Sequence, residues 1–202
     1  MRPVMSLEAS VTVVLVEGES DRMAVEALAA RLDIDLVAAG AAVVSMGGVT
    51  NLHHHLAMLA RDPVHRRVLG LFDVGEIAYV QRVVDEAGLG VAGTDLESLG
   101  FFACVPDLEG ELIRALGSAR VEELLAEHGE LARFRGFQQQ PAQRAKTVDA
   151  QLRRFMGTHS GRKARFAPIL VEALEEPRIP TALSSLLAAA AGAHDVAAPR
   201  DE

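Results

Sequence analysis

Val11-Thr12-Val13-Val14-Leu15-Val16-Glu17-Gly18-Glu19-Ser20-Asp21 is the stretch whose reading decides the fold. Its first six residues are apolar apart from Thr12 and rich in β-branched side chains. A strand with one wet face alternates, so an uninterrupted run of this kind reads as a strand covered on both faces by helices. The run stops at Glu17, Gly18 suits a tight turn, and Ser20 is the expected cap of a following helix. A carboxylate at the C-terminal end of a buried strand stands where open parallel sheets place their chemistry. The alternative is an ordinary strand-to-helix turn whose acids only cap the helix.

The same grammar repeats downstream. A helix is expected over about 21–32, with Met23, Ala27, Leu28 and Leu32 sharing a face. Ala41–Met46 is a second apolar run, ending in Gly47-Gly48 and Asn51, after which Leu52, Leu56 and Leu59 keep helical spacing. Gly47 and Gly48 are candidates for a close phosphate approach near a helix N-terminus, or are simply a turn. Val68–Phe72 is a third run, leading through Asp73-Val74-Gly75-Glu76 into a helix over about 77–87. Thr94-Asp95-Leu96-Glu97 has the spacing of a capping box, and Phe101–Val105 is a fourth strand, followed by Pro106 and Asp107-Leu108-Glu109. Strands alternating with helices give an α/β fold, with a parallel sheet of about four strands and helices on both faces. Glu17, Asp73 and Asp107 all follow strands, so they emerge at one sheet edge whatever the strand order, and Asp21 opens the first helix near Glu17. Beyond Leu108 only helices are expected, over about 108–116, 120–128, 147–156, 161–173 and 180–191. The organisation is an α/β core over 8–117, a helical extension over 118–191 and a disordered tail over 192–202.

Half of the 202 residues are hydrophobic and 4% are aromatic, so Ala, Leu and Val build the core. No run is long enough to span a bilayer and no secretory signal is visible, which points to a cytoplasmic setting without a membrane partner. The single cysteine, Cys104, excludes an internal disulfide and a cysteine zinc site. His53-His54-His55 reads as a helix surface, because consecutive helical residues diverge. The net charge of −8 argues against indiscriminate coating of nucleic acid. Residues 131–165, however, hold nine basic residues against one acid, a local +8 that leaves −16 for the rest. Arg153, Arg154 and Arg162 lie in this segment, which reads as a phosphate-binding surface or a solvated helical face.

Val-Glu-Gly-Glu-Ser-Asp at 16–21, Gly47-Gly48, Asp73-Val74-Gly75 and Asp107-Leu108-Glu109 together resemble a Toprim domain, most closely that of the OLD (overcoming lysogenisation defect) family of nucleases. The resemblance covers roughly residues 11–165 and looks like a stand-alone form, without the ATPase such proteins often carry. It implies a Rossmann-like core and metal-dependent phosphodiester hydrolysis of DNA or another nucleic acid. It also implies one or two Mg2+ (or Mn2+) ions held by Glu17, Asp21 and Asp73, with Asp107 or Glu109 at a second site. Ser160 and Lys163 would meet the scissile phosphate, Ser160 as a substrate-binding residue and Lys163 as a member, with Glu17 and Asp73, of the candidate catalytic set. A homodimer or a separate ATPase are the implied partners. Toprim domains generally carry Asp-x-Asp after the third strand, whereas this chain has Asp73-Val74-Gly75. That departure keeps a second function open, a non-catalytic module binding nucleic acid or a protein, with a primase-like nucleotidyl transferase behind it.

Overall fold

The computed structural model describes residues 11–159 and 161–192. Four parallel strands, β1 (Thr12–Val16), β2 (Ala41–Ser45), β3 (Arg67–Asp73) and β4 (Phe101–Cys104), form one sheet in the order β2-β1-β3-β4. β1 is central and every one of its residues is buried. Its side chains alternate between two cores, as the two-residue period of a strand requires. Val13 and Leu15 meet α2 (Leu52–Leu59) and α3 (Ile77–Glu86) on one face. Val14 and Val16 meet α1 (Glu19–Arg31) and the C-terminal helices on the other. The parallel sheet with two covered faces follows the sequence pattern.

The chain leaves β1 for β2 on one side and returns to β3 on the other. The gap between the carboxyl ends of β1 and β3 is therefore the point where strand order reverses, the usual crevice of an open α/β sheet.

Among the described residues five helices follow α4 (Leu108–Leu116): α5 (Ser118–Glu127), α6 (Leu131–Gln138), α7 (Val148–Met156), α8 (Arg162–Glu172) and α9 (Thr181–Ala191). They share one continuous core with α1 and the sheet, including Phe134, Leu152, Phe166 and Leu186. α8 packs along α1, and α9 lies on β3 and β4. Arg31 Nη1 donates to Val171 O at 2.8 Å and Arg67 Nη1 to Ala189 O at 2.7 Å, so both attachments are fixed by charged donors on carbonyls. The helices after residue 117 thus complete the cover of the sheet.

α6 was not anticipated. Its apolar positions Leu131, Phe134 and Phe137 stand on one face, but Gly136 and three charged or amide neighbours dilute the pattern and no side chain caps it. Ser20 is not the cap of α1: Gly18 takes that place, and the Asp21 carboxylate accepts from the Gly18 N–H. The 94–97 box yields only a 3₁₀ turn, Glu97–Leu99, in which the Ser98 N–H donates to Asp95 Oδ2 at 3.1 Å. The expected disordered tail lies outside the described residues except for Gly192. Among the described residues no helix is long and apolar enough to cross a membrane.

Candidate metal and phosphate site

Three strand ends deliver the acids. Glu17 directly follows β1, and its Oε1 accepts the Asp73 N–H at 2.8 Å, spanning the β1/β3 crevice. Asp21, one turn into α1, accepts the Gly18 N–H at 2.8 Å. Asp73 ends β3, and its carboxylate makes no hydrogen bond to the described residues, including the turn it precedes. Gly47 and Gly48 adopt φ of 70° and 123°, backbone that favours glycine. Gly48 N–H donates to Glu17 O at 2.8 Å, so this turn is laced to the acid edge, and that amide is already used.

The other acids have cations of their own. Asp107 caps α4 by accepting the Gly110 N–H at 2.8 Å, and its second oxygen takes the Arg153 Nε–H. Glu109, 5% exposed, accepts from Lys163 Nζ at 2.8 Å. Glu111, which sequence reasoning missed, is also buried and accepts the Val105 N–H at 3.0 Å, fixing the end of β4 against α4. Its signal was its place one helical turn after Asp107.

The electrostatics divide the same way. Burial, then the charge of Glu17 and the neighbouring acids, pushes Asp73 up to about 7. Burial likewise pushes Asp21 up to about 6 against the help of its Gly18 hydrogen bond. Glu17 is raised by burial, by Glu76 and by Glu109, with the Asp73 N–H and Lys163 working against the shift. Lys163 itself is raised: burial alone would lower it, and Glu109, Asp107 and Asp21 outweigh that. Glu17, Asp21 and Asp73 are thus carboxylates short of positive charge, while Asp107 and Glu109 are paired.

An all-oxygen donor set with unmet negative charge fits Mg2+ or Mn2+, which takes one or two carboxylates and completes its shell with water and phosphate oxygens. Among the described residues no group of three or more His, Cys, Asp or Glu side chains is placed to hold a metal ion as the side chains stand. The fit is to an open site.

The basic segment is less free than its charge suggests. Arg133, Arg162 and Arg165 pair with Glu130, Arg135 with Glu122, Arg153 with Asp107 and Lys163 with Glu109. Arg162 is 6% exposed, with its guanidinium committed to Phe155 O, Thr158 Oγ1 and Glu130 and lying 3.9 Å from the Phe155 ring centroid. This internal engagement removes it from the phosphate-binding set. Arg144, Lys146 and Arg154 are exposed and meet no acid among the described residues. Ser160 lies outside the described residues. His53 and His54 are exposed on α2, and Cys104 is buried in β4, as expected.

Residues 10–74 match the family described as Overcoming lysogenization defect protein-like, TOPRIM domain. The fold is similar to the C-terminal region of the Xanthomonas campestris pv. campestris OLD protein. In its mercury-phased and platinum-phased structures the identity is 26%, the TM-scores are 0.64 and 0.66, and the match covers 90% and 92% of this chain and 95% and 96% of that one. The C-terminal region of the Burkholderia pseudomallei OLD protein shares the fold at 20% identity and a TM-score of 0.63, covering 90% of this chain and 96% of that chain. No curated protein matches the sequence. Residues 10–74 are thus similar to the OLD-like Toprim domain, and over about nine-tenths of the chain the fold is similar to that of the C-terminal region of OLD proteins.

Proposed function

We propose that this protein hydrolyses phosphodiester bonds of DNA with a divalent metal ion held at the β1/β3 edge. The observation that carries the reading is the division of the acids. Glu17, Asp21 and Asp73 gather at the crevice with no cationic side chain hydrogen-bonded to any of them, while Asp107 and Glu109 beside them each hold one. Glu17, Asp21 and Asp73 would hold Mg2+ or Mn2+. When bound, such an ion neutralises a phosphodiester and activates water.

The chain's own groups divide the remaining work. Glu109 keeps the Lys163 ammonium charged at the edge of the acid cluster, where it is a donor for a phosphate oxygen. Asp107 aims Arg153 toward the same edge. A second ion at Asp107 and Glu109 would have to displace both cations, so a single ion with Lys163 and Arg153 beside it is the economical arrangement. Arg154, with Arg144 and Lys146, supplies contacts along the nucleic-acid backbone.

Arg154→Glu is accordingly expected to weaken DNA binding about threefold to tenfold at moderate salt. The slope of log affinity against log salt should fall in magnitude by about one, as for the loss of one phosphate contact. Titration of a labelled duplex over a salt series measures both, and an unchanged slope would return Arg154 to the solvated helix face.

The binding-module alternative draws on the absence, among the described residues, of three acid, His or Cys side chains placed together to hold a metal ion. It requires DNA binding that needs no metal and no cleavage by the wild type. The hydrolase reading requires metal-dependent cleavage that Glu17→Ala removes while binding falls little.

A further inference from the structure

α6 carries a glycine that no backbone demand explains. Gly136 stands in the body of the helix, outside the left-handed region, where glycine is unfavourable relative to alanine. Close packing does not require it either, since a Cβ built there meets nothing within 4 Å. What the missing side chain leaves is room. Gly136 lines an open cavity of about 370 Å³ between α6 and the end of α7, within the ~300–1,000 Å³ of small-ligand sites. The floor is aromatic, with the Phe137 and Phe155 centroids 5.5 Å apart, and Arg162, held by Phe155 O, Thr158 Oγ1 and Glu130, closes one wall. The rim is polar and exposed: Arg133 stands there, and the Gln140 and His159 side chains make no hydrogen bond to the described residues. Arg144 Nε donates to Gln139 O at 2.7 Å, which holds a further guanidinium beside Gln140. Among the described residues no acid lines the cavity. An aromatic floor, an amide that both donates and accepts, and cations at the rim complement a flat heterocycle on a phosphate chain.

The cavity is also close to the acid edge. Arg162 faces the cavity, and the next residue, Lys163, reaches Glu109 at the edge. The turn after α7 serves both: His159 lines the cavity, whereas a Cβ on Gly157 would stand 3.8 Å from Lys163 Cε. Adjacent residues of α8 thus face the two places, which lie within ~10 Å, a helix diameter, of each other.

We propose that this cavity receives one unpaired nucleotide of a nucleic-acid strand, its base against Phe137 and the bare Gly136 backbone and its hydrogen-bonding edge toward Gln140. The proposal rests on the reading of the protein as one that binds nucleic acid, and it makes the preferred substrate one with an unpaired position near the cleaved phosphate. A fully paired duplex, its bases stacked, meets only the outer cations.

Binding is measured in chelator, so that no cleavage intervenes, to a fully paired duplex, to the same duplex with one unpaired 2-aminopurine, and to adenosine monophosphate. Wild type is expected to hold the unpaired form about tenfold more tightly than the paired one, with the 2-aminopurine fluorescence quenched as the base stacks. Gly136→Leu should lose both the preference and the quenching and leave the paired-duplex affinity unchanged. It should melt no lower than wild type, because leucine is the better helix former. Ala132→Leu, exposed on the same helix outside the cavity, should behave as wild type. Gln140→Ala, beyond the end of α6, should reduce the preference without touching the helix. Duplex binding with no preference for the unpaired base, or a preference that Gly136→Leu and Gln140→Ala both keep, overturns the assignment and leaves the nucleic-acid reading standing. Binding of adenosine monophosphate that Gly136→Leu removes, with no preference among the duplexes, overturns it in favour of a free nucleotide. If wild type binds no nucleic acid in any form, the nucleic-acid reading fails and the assignment fails with it.

Discussion

Asp73→Asn is expected to give a metal-free protein that melts higher than wild type near pH 8 and no longer cuts DNA. Burial and the surrounding acids push the Asp73 carboxyl up to about 7, from 3.8 in the unfolded chain. The folded state therefore holds a proton that the unfolded state releases. Below about pH 4 both states are protonated and the group contributes nothing. As pH rises from there through 7 stability is lost, and the full penalty stands above 7. Asp21, pushed up to about 6, adds loss over a window ending lower. After discounting for partial exposure, the Asp73 penalty is about 1–2 kcal/mol. Its removal should raise Tm by about 4 °C at pH 8 and by little at pH 5. Millimolar Mg2+ should raise the Tm of wild type by mass action and that of Asp73→Asn much less. Differential scanning calorimetry at the two pH values, with and without Mg2+, reads all of this. A variant that melts lower than wild type at pH 8 would mean that Asp73 is a structural anchor with no unmet charge.

Arg162→Ala should cost about 3 kcal/mol and lower Tm by roughly 9 °C. Four interactions go at once: the donations to Phe155 O, Thr158 Oγ1 and Glu130, and the stacking on Phe155. Glu130 is 5% exposed, and burial alone would raise its carboxyl; Arg133 and Arg162 together hold it below the usual range. Arg133 remains to pair with it at 2.6 Å, which keeps the loss below that of a fully stranded charge. Arg162→Lys should recover little, since a single ammonium cannot replace a planar fork shared among three acceptors. DNA affinity measured well below the melting transition should stay near that of wild type. An Arg162→Ala protein with wild-type Tm and weakened DNA binding would restore the residue to the phosphate-binding role expected from its sequence.

Arg162 also marks how far the sequence could be read. β1, β2, β3 and β4 were legible because a strand buried on both faces writes an unbroken apolar run, and the acids at its end inherit their position from it. Glu17, Asp21 and Asp73 could therefore be brought to one edge before any coordinates. Charge could not be read in this way. The +8 of residues 131–165 is mostly spent on acids distant in the chain, such as Arg153 on Asp107 and Lys163 on Glu109, or on Glu130 just outside the segment. Net charge along a segment has no knowledge of which side chains fold back. α6 was hidden by Gly136 and a dilute apolar pattern, and the seat of α9 on β3 and β4 was not legible, because tertiary partners do not appear in periodicity.

The most direct test of the account is cleavage of supercoiled plasmid by wild type and by Glu17→Ala, in Mg2+, in Mn2+ and in chelator. Metal-dependent nicking or linearisation by wild type is expected, reduced at least about 100-fold in Glu17→Ala with DNA binding largely retained. Equal cleavage by both proteins, or no cleavage by wild type in either metal, would contradict hydrolysis at the β1/β3 edge.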